Sequence, residues 1–304
     1  MSTTAAVVRG SLTDAGRDYR GMAFHAVLLL ALLFSLAMLL TLLLDIAASG
    51  VPVLADRGLD FLTSPTSARA SRAGVVQGVV GTIVMGVVVS FFTFPLGIMT
   101  AVYLEEYAPN NRFTRFINVN IRNLAGVPSV VYGILGLSVF VIALAGVTGG
   151  RSMISGGLTL AILVLPIVII TSSEAIRAVP QSLREGGYGI GASRWEVTKS
   201  LVLPAAAPGI LTGTVLALSR ALGETAPLIL VGGVLGGFST GNQDVIEQVF
   251  GRFTAMPVIV FDWARRPQQA FVDLTAAAII VLLAITLFAN AIAIYLRNRY
   301  ERTW

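Results

Sequence analysis

Residues Ser200 to Gln243 run for 44 positions with only two charged side chains, Arg220 and Glu224, near the middle. A soluble core has no use for so long an uncharged run, whereas a membrane-spanning helix needs about 20 apolar residues in succession. Similar runs recur along the chain. Hydrophobic residues therefore reach 55% of the 304, and Asp, Glu, Lys and Arg together only 12%, against about 25% charged in ordinary soluble domains. The chain is predicted to be an all-α membrane protein that crosses the bilayer several times.

Six transmembrane helices can be read at this length, over about 26–48, 75–104, 124–147, 154–172, 209–235 and 274–296. Residues 1–25 and 298–304 are then polar cytoplasmic ends, and 75–297 form the main membrane body. Arg17, Arg20 and Ala47-Ala48-Ser49 resemble the flanks of a signal peptide. The apolar core between them is about 20 residues, longer than the 7–15 of such a peptide, so a retained anchor is predicted. With both termini cytoplasmic, thirteen basic residues fall inside and seven outside. The excess of inside Lys and Arg selects this N-in, C-in arrangement.

The same inventory excludes much chemistry. There is no cysteine, and the one histidine, His25, sits in the polar head before the first span. Thiol nucleophiles, zinc sites and a Ser-His-Asp centre are left without parts, so no metal site and no membrane-embedded enzyme is expected. The only lysine, Lys199, follows Thr198 rather than glycine, so the chain has no phosphate-binding loop of its own. The net charge of +5 comes almost wholly from arginines between spans. It marks membrane orientation and no nucleic-acid partner.

Pro95 and Pro166 fall inside spans and should kink them. The pairs Gly74/Gly78 and Gly209/Gly213 permit close helix contact. The outer loop from about Gly236 to Asp273 carries Phe261, Trp263, Arg265 and Arg266, which suit an interfacial helix or a docking surface.

Arg220 and Glu224 stand at spacing i, i+4, which places them on one helical face. Charges at bilayer depth cost several kcal/mol, so they face a bundle interior and mark a pathway. The arginine fork matches phosphate and carboxylate oxygens. Arg220 is thus the anion contact, Glu224 its counter-charge in the empty site, and Thr225 a further hydroxyl donor. Arg177, at the inner end of span four, can receive an exiting anion. Arg122 and Asn123, at the entry to span three, come next, with exposed helix-start amides around Asn123 favouring an anion.

Between spans four and five lies a polar, helix-capable insert over 174–204, bounded by Pro180 and Pro204 and with a turn at Gly191. It is too long for a minimal connector and reads as a short helix offered to a soluble partner. Glu185-Gly186-Gly187, Gly191 and Leu203-Pro204 resemble the coupling loop of binding-protein-dependent ABC importer permeases. In that family the pattern is E-A-A, a glycine after three further residues, then an apolar-x-L-P ending. Glycines replace both alanines here, which keeps the spacing and weakens helix propensity.

Two further stretches, Asn123 to Gly133 and Ser219 to Pro227, look like signatures of the phosphate importer permeases. Of the two related membrane subunits in such systems, the short loops and the 261–268 region look more like the PstA type. The resemblance covers about Gln77 to the C-terminus. It implies a type I ABC importer permease fold and a non-catalytic translocation subunit for inorganic phosphate. Arg184, Glu185, Gly186, Gly187, Tyr188, Gly191, Arg194, Trp195, Leu203 and Pro204 would form the ATPase-coupling segment. Implied partners are a second, PstC-like permease, cytoplasmic PstB-like ATPase subunits that use ATP and Mg, and an external PstS-like phosphate-binding protein, all around a chain embedded in membrane lipid that binds no cofactor itself. The implied location is a bacterial inner membrane. The alternative from the residues alone is a proton-coupled secondary anion transporter using Arg220 and Glu224.

Overall fold

The computed structural model describes residues 19–237 and 249–300. Most of the polar head 1–25, the last residues of the tail, and 238–248 in the first part of the long outer loop lie outside the described residues. Those described contain helices and no strand. The chain divides after Ala48. The described part of the first unit is the front of α1 (Tyr19–Arg57), an apolar helix exposed along this stretch. It extends the expected first span at both ends.

The second unit holds the bundle. Helix α2 (Val76–Val102) continues into a wide π turn, Tyr103–Tyr107, and is followed by α3 (Arg112–Ala125). Next come α4 (Ser129–Gly136), itself extended by a π coil Leu137–Ala143, and α5 (Met153–Arg177). Helix α6 (Gln181–Gly189) leads to α7, which starts at Arg194–Val197, passes through a π coil Thr198–Val202 and runs on as Leu203–Gly223. Then α8 (Ala226–Val231), α9 (Met256–Ala264) and α10 (Gln269–Tyr300) complete it.

Helix α5 is the axis. In its most apolar stretch 67% of residues are buried, against 28% in α2, 33% in α7 and 17% in α10. Its start is fixed by Ser152, whose hydroxyl accepts the Ser155 amide at 3.2 Å. Helices α2 and α7 make the most extensive contacts with it. The expected small-residue contact is present: a Cβ on Gly209 would stand 2.7 Å from Ala175 Cβ on α5, and Gly213 faces Thr171 as closely. Pro95 and Pro166 are carried inside continuous helices.

Two expected spans are corrected. Residues 124–147 are no single helix, because α3 and the helix starting at Ser129 meet at 101°. Pro128 donates no hydrogen bond, is itself extended at φ −57° and ψ 138°, and disfavours helix at Val127. Leu124 therefore ends one helix instead of opening another. Helix α3 is amphipathic, with Phe113, Ile117 and Leu124 opposite Arg115 and Arg122. Likewise, 209–235 is interrupted: α7 ends at Gly223, Glu224 is extended at φ −76° and ψ 124°, and Pro227 helps restart the chain as α8.

Three apolar cores follow from this packing. The central one joins Met85, Leu160, Val164, Ala217 and Phe253. The outer one surrounds Trp263, which is fully buried between Phe61 and Phe271 at 6.4 and 6.1 Å. The expected docking role for this residue is thereby corrected, since so large an aromatic surface stabilises most when buried. Arg265 instead stacks on the half-exposed Phe261, and Arg266 pairs with Asp262 at 2.8 Å. The third core, from Ala101, Ile176, Val197, Val202 and Ala206, fixes the coupling segment to the inner ends of α2, α5 and α7.

Candidate translocation site and coupling region

The two central charges stand where α7 breaks. Arg220 occupies its last turn, and its Nε donates to Glu224 Oε1 at 3.3 Å. Glu224 has left the helix, so the pair bridges a break rather than one helical face. Ala221 lines the same small cavity as Leu160, seven residues below the outer end of α5, and the register of Gly213 on Thr171 sets Arg220 about eleven residues below it. At 1.5 Å per residue the pair lies between about 10 and 17 Å from the outer end of α5.

The Arg220 side chain is 46% exposed and that of Glu224 18%. A guanidinium this open at membrane depth must meet water or another subunit, since lipid would penalise it. Among the described residues its terminal nitrogens have no acceptor. Thr225 makes no side-chain cap bond and keeps its hydroxyl available. Next to Arg220, the Ser219 hydroxyl is 2.5 Å from Asn290 Oδ1 on α10, which anchors the turn.

The two stretches that resemble phosphate-permease signatures come together here. A Cβ on Gly133 would stand 2.8 Å from Pro227 Cα and 2.7 Å from Leu230 Cδ1, so only glycine lets α4 meet α8 this closely. Tyr132, beside it, is within electrostatic reach of Arg220 and donates its hydroxyl to the Leu124 carbonyl at 2.9 Å. The restart of one broken span is thus packed on the restart of the other.

The remaining predicted anion contacts do not converge on this place. Asn123 is exposed near the C-terminal end of α3, where the helix dipole favours cations. The expected helix-start amides are therefore absent at Asn123. Arg122 and Arg177 line a narrow crevice with Asn118, Ser173 and Glu174 at the inner side. Arg177 is held there by Glu105, with Nη2 to Oε1 at 2.7 Å and Nε to Oε2 at 3.2 Å.

The coupling segment folds as a helix, a turn and a helix start. Gly187 is buried, and a Cβ on it would come within 2.8 Å of both Val197 Cγ2 and Leu201 Cδ1. A Cβ on Gly186 would meet open space. Gly191 takes φ +83°, the left-handed conformation that makes the turn. Ser193 and Glu196 then form a reciprocal capping box that starts α7, which runs through Leu203-Pro204. Around this turn Tyr188, Ile190 and Trp195 are 41%, 86% and 56% exposed, and Glu185 is exposed beside them. These side chains form an exposed apolar patch at the turn. Arg184 points the other way, into the protein, against Glu106 at 2.8 Å.

Sequence reasoning missed Glu105 and Glu106, which engage the two arginines, as well as Tyr132, Ile190 and Asn290. A signal existed for the first two: adjacent carboxylates at an inner span end run against the usual basic bias.

Comparison with known proteins agrees with this geometry. The family described as binding-protein-dependent transport system inner membrane component matches residues 93–302. A probable ABC transporter permease protein, YqgI of Bacillus subtilis, is 37% identical over 57% of this chain, which spans 58% of that relative's length. The phosphate transport system permease protein PstA of Mycobacterium leprae is 35% identical, over 72% of this chain and 70% of its own. Among solved structures, the inward-facing methionine ABC transporter MetNI shares the fold, with a TM-score of 0.61 at 16% identity over 75% of this chain and 96% of that one. The chain belongs to the binding-protein-dependent transport system inner membrane component family and is a multi-pass ABC importer permease.

Proposed function

We propose that this chain is one of the two membrane subunits of an importer for inorganic phosphate, of the PstA type. A PstC-like permease would complete the pore, PstB-like subunits would hydrolyse ATP with Mg, and a PstS-like external protein would deliver phosphate. The observation that supports this most is the junction of Gly133 with Pro227 beside Arg220. It brings together the two stretches that look like phosphate-permease signatures, and it leaves an anion-matched fork open beside them. The phosphate-specific PstA relative adds to it.

In this reading phosphate released by the external protein meets Arg220, and Glu224 gives up its single contact with the guanidinium as the anion takes its place. A protonated phosphate can also donate a hydrogen bond to Glu224, which sulfate, fully ionised, cannot. Closure of the ATPase moves the Glu185–Trp195 segment and changes which side Arg220 faces. The exposed Tyr188, Ile190 and Trp195 supply the ATPase contact, a feature a gradient-driven carrier does not need.

The test is uptake of labelled phosphate by vesicles holding the four-component system, with permease expression verified. Charge reversal of Glu185 is expected to leave ATP hydrolysis running while uptake falls. Full coupling in that variant, or transport of sulfate at the phosphate rate, would count against the proposal.

A further inference from the structure

The inner end of α2 gathers an arginine from each of three segments. Glu105, Glu106 and Tyr107 follow one another in the π turn Tyr103–Tyr107. Glu105 holds Arg177 from the end of α5. Glu106 holds Arg184 from α6. The Tyr107 ring lies under the Arg194 guanidinium from the start of α7, at 5.6 Å. A π turn is wider than an α turn and is common at functional sites; here it presents three consecutive side chains to three different neighbours.

These contacts are unequal. Arg177 is 59% exposed, and Arg194 and Tyr107 meet near the surface, so water screens both. The Arg184–Glu106 pair is 12% and 5% exposed. Arg184 Nε and Nη2 reach Glu106 Oε1 at 3.1 and 2.8 Å. Its Nη1 donates to the Val179 carbonyl at 2.7 Å and its Nη2 also to the Ile176 carbonyl at 2.9 Å. One side chain thus ties the coupling helix to the end of α5 and to the end of α2. Removing one partner from a buried pair leaves an uncompensated charge, so breaking this contact costs more than breaking either exposed one.

From this, and resting on the function proposed above, we infer that Arg184 and Glu106 are the positioning residues that transmit motion of the coupling helix into the membrane helices. Helix α6 exposes Glu185, while its neighbour Arg184 is turned inward to Glu106; Tyr188, one turn on from Arg184, lines the same cleft and reaches the surface. A push on Glu185 or Tyr188 displaces Arg184, and with it Glu106 and the π turn. Helix α2 is the element so driven: it packs along α5, and at Gly86 it meets Leu222, two residues from Arg220. The pair therefore adds a desolvated polar contact to the apolar core that already packs the coupling segment on α2.

The experiment measures phosphate moved per ATP hydrolysed by the complete four-component complex in vesicles. Glu106→Gln keeps the shape and removes the charge. It is expected to assemble, to hydrolyse ATP within twofold of wild type, and to move at least tenfold less phosphate per ATP. Arg184→Lys keeps the charge without the fork and should fall between. Asp262→Asn, in the outer Asp262–Arg266 pair, should stay within twofold. A normal ratio in Glu106→Gln would overturn the inference. Should that variant not assemble, Glu106→Asp, which draws the carboxylate back by one methylene, is measured instead, and a normal ratio there overturns it equally. A wild-type complex that hydrolyses ATP without moving phosphate would sink the functional proposal itself, and the inference with it.

Discussion

The outer ion pair and the inner ones use the same two residue types under opposite physical conditions. Arg220 and Glu224 are four residues apart, joined by one 3.3 Å contact across a helix break, with the arginine 46% exposed. Arg184 and Glu106 are 78 residues apart, joined through two nitrogens, and both nearly buried. A single exposed contact is weak and easily exchanged for another anion. A desolvated contact with added carbonyl bonds holds its partners at fixed distance. The difference teaches that charge alone does not assign a role: the outer pair is arranged to let go and the inner one to hold.

The largest effect should come from breaking the outer side of this contrast. Arg220→Gln removes a charge-assisted contact to the anion, worth about 1.5–3 kcal/mol. Every 1.4 kcal/mol is roughly tenfold, so phosphate uptake should fall about 10- to 100-fold with assembly unchanged. Uptake at the wild-type level would mean that the open guanidinium has no part in transport.

Gly133→Ala tests whether the outer site depends on its backbone junction as well as its charge. The added Cβ would meet the Pro227 backbone at 2.8 Å, and backbone cannot swing away as a side chain can. Overpacking of this kind costs about 1–3 kcal/mol. The midpoint of thermal unfolding in detergent should drop and uptake should fall with Arg220 intact. An unchanged midpoint would show that α4 and α8 can separate freely, which would leave the site without a rigid frame.

How much of this was legible beforehand differs along the same contrast. Apolar run length sufficed for the membrane class and for helices α2, α5 and α10, because burial and bilayer thickness act on any such run. The break at Pro128 was hidden inside a run read as one span, whereas Gly223 and Pro227 could be read beforehand as a place where the helix unwinds. Arg220 and Glu224 were visible because they are near in sequence and stand alone among apolar residues. Their counterparts were half visible: Arg184 was placed in the coupling segment by resemblance, but Glu106 was not, because 78 residues separate them and no local pattern encodes a contact of that range. Trp263 was misread for the same reason. Its partners Phe61 and Phe271 come from different elements.

The two glycines of the coupling segment sharpen the inner side. Gly187→Ala would press on Val197 and Leu201 at 2.8 Å and should weaken coupling, with a cost of about 1–3 kcal/mol if the neighbours cannot shift. Gly186→Ala meets open space, and replacing a helical glycine gains about 0.5–1 kcal/mol. The expected result is opposite signs for adjacent residues, read as uptake per ATP and as thermal stability. Equal effects would show that the contact with Val197 does not constrain the coupling helix.

The smallest effect is expected where the two conditions meet, at Arg177 and Glu105. This pair is long-range and two-pronged like the inner one, yet its arginine is 59% exposed like the outer one. If burial decides, Arg177→Gln should cost no more than about 0–1 kcal/mol of stability. Any loss should shrink further as salt rises, because exposed charges are screened over about 8–10 Å at moderate ionic strength. If two-pronged geometry decides instead, the loss should approach that of Glu106→Gln and persist in high salt. Unfolding midpoints of both variants, compared at low and high salt, separate the two. A third result is distinct from both: stability unchanged while uptake falls at least tenfold. That would place Arg177 on the anion's route out of the protein, with Glu105 as the counter-charge it leaves when phosphate passes.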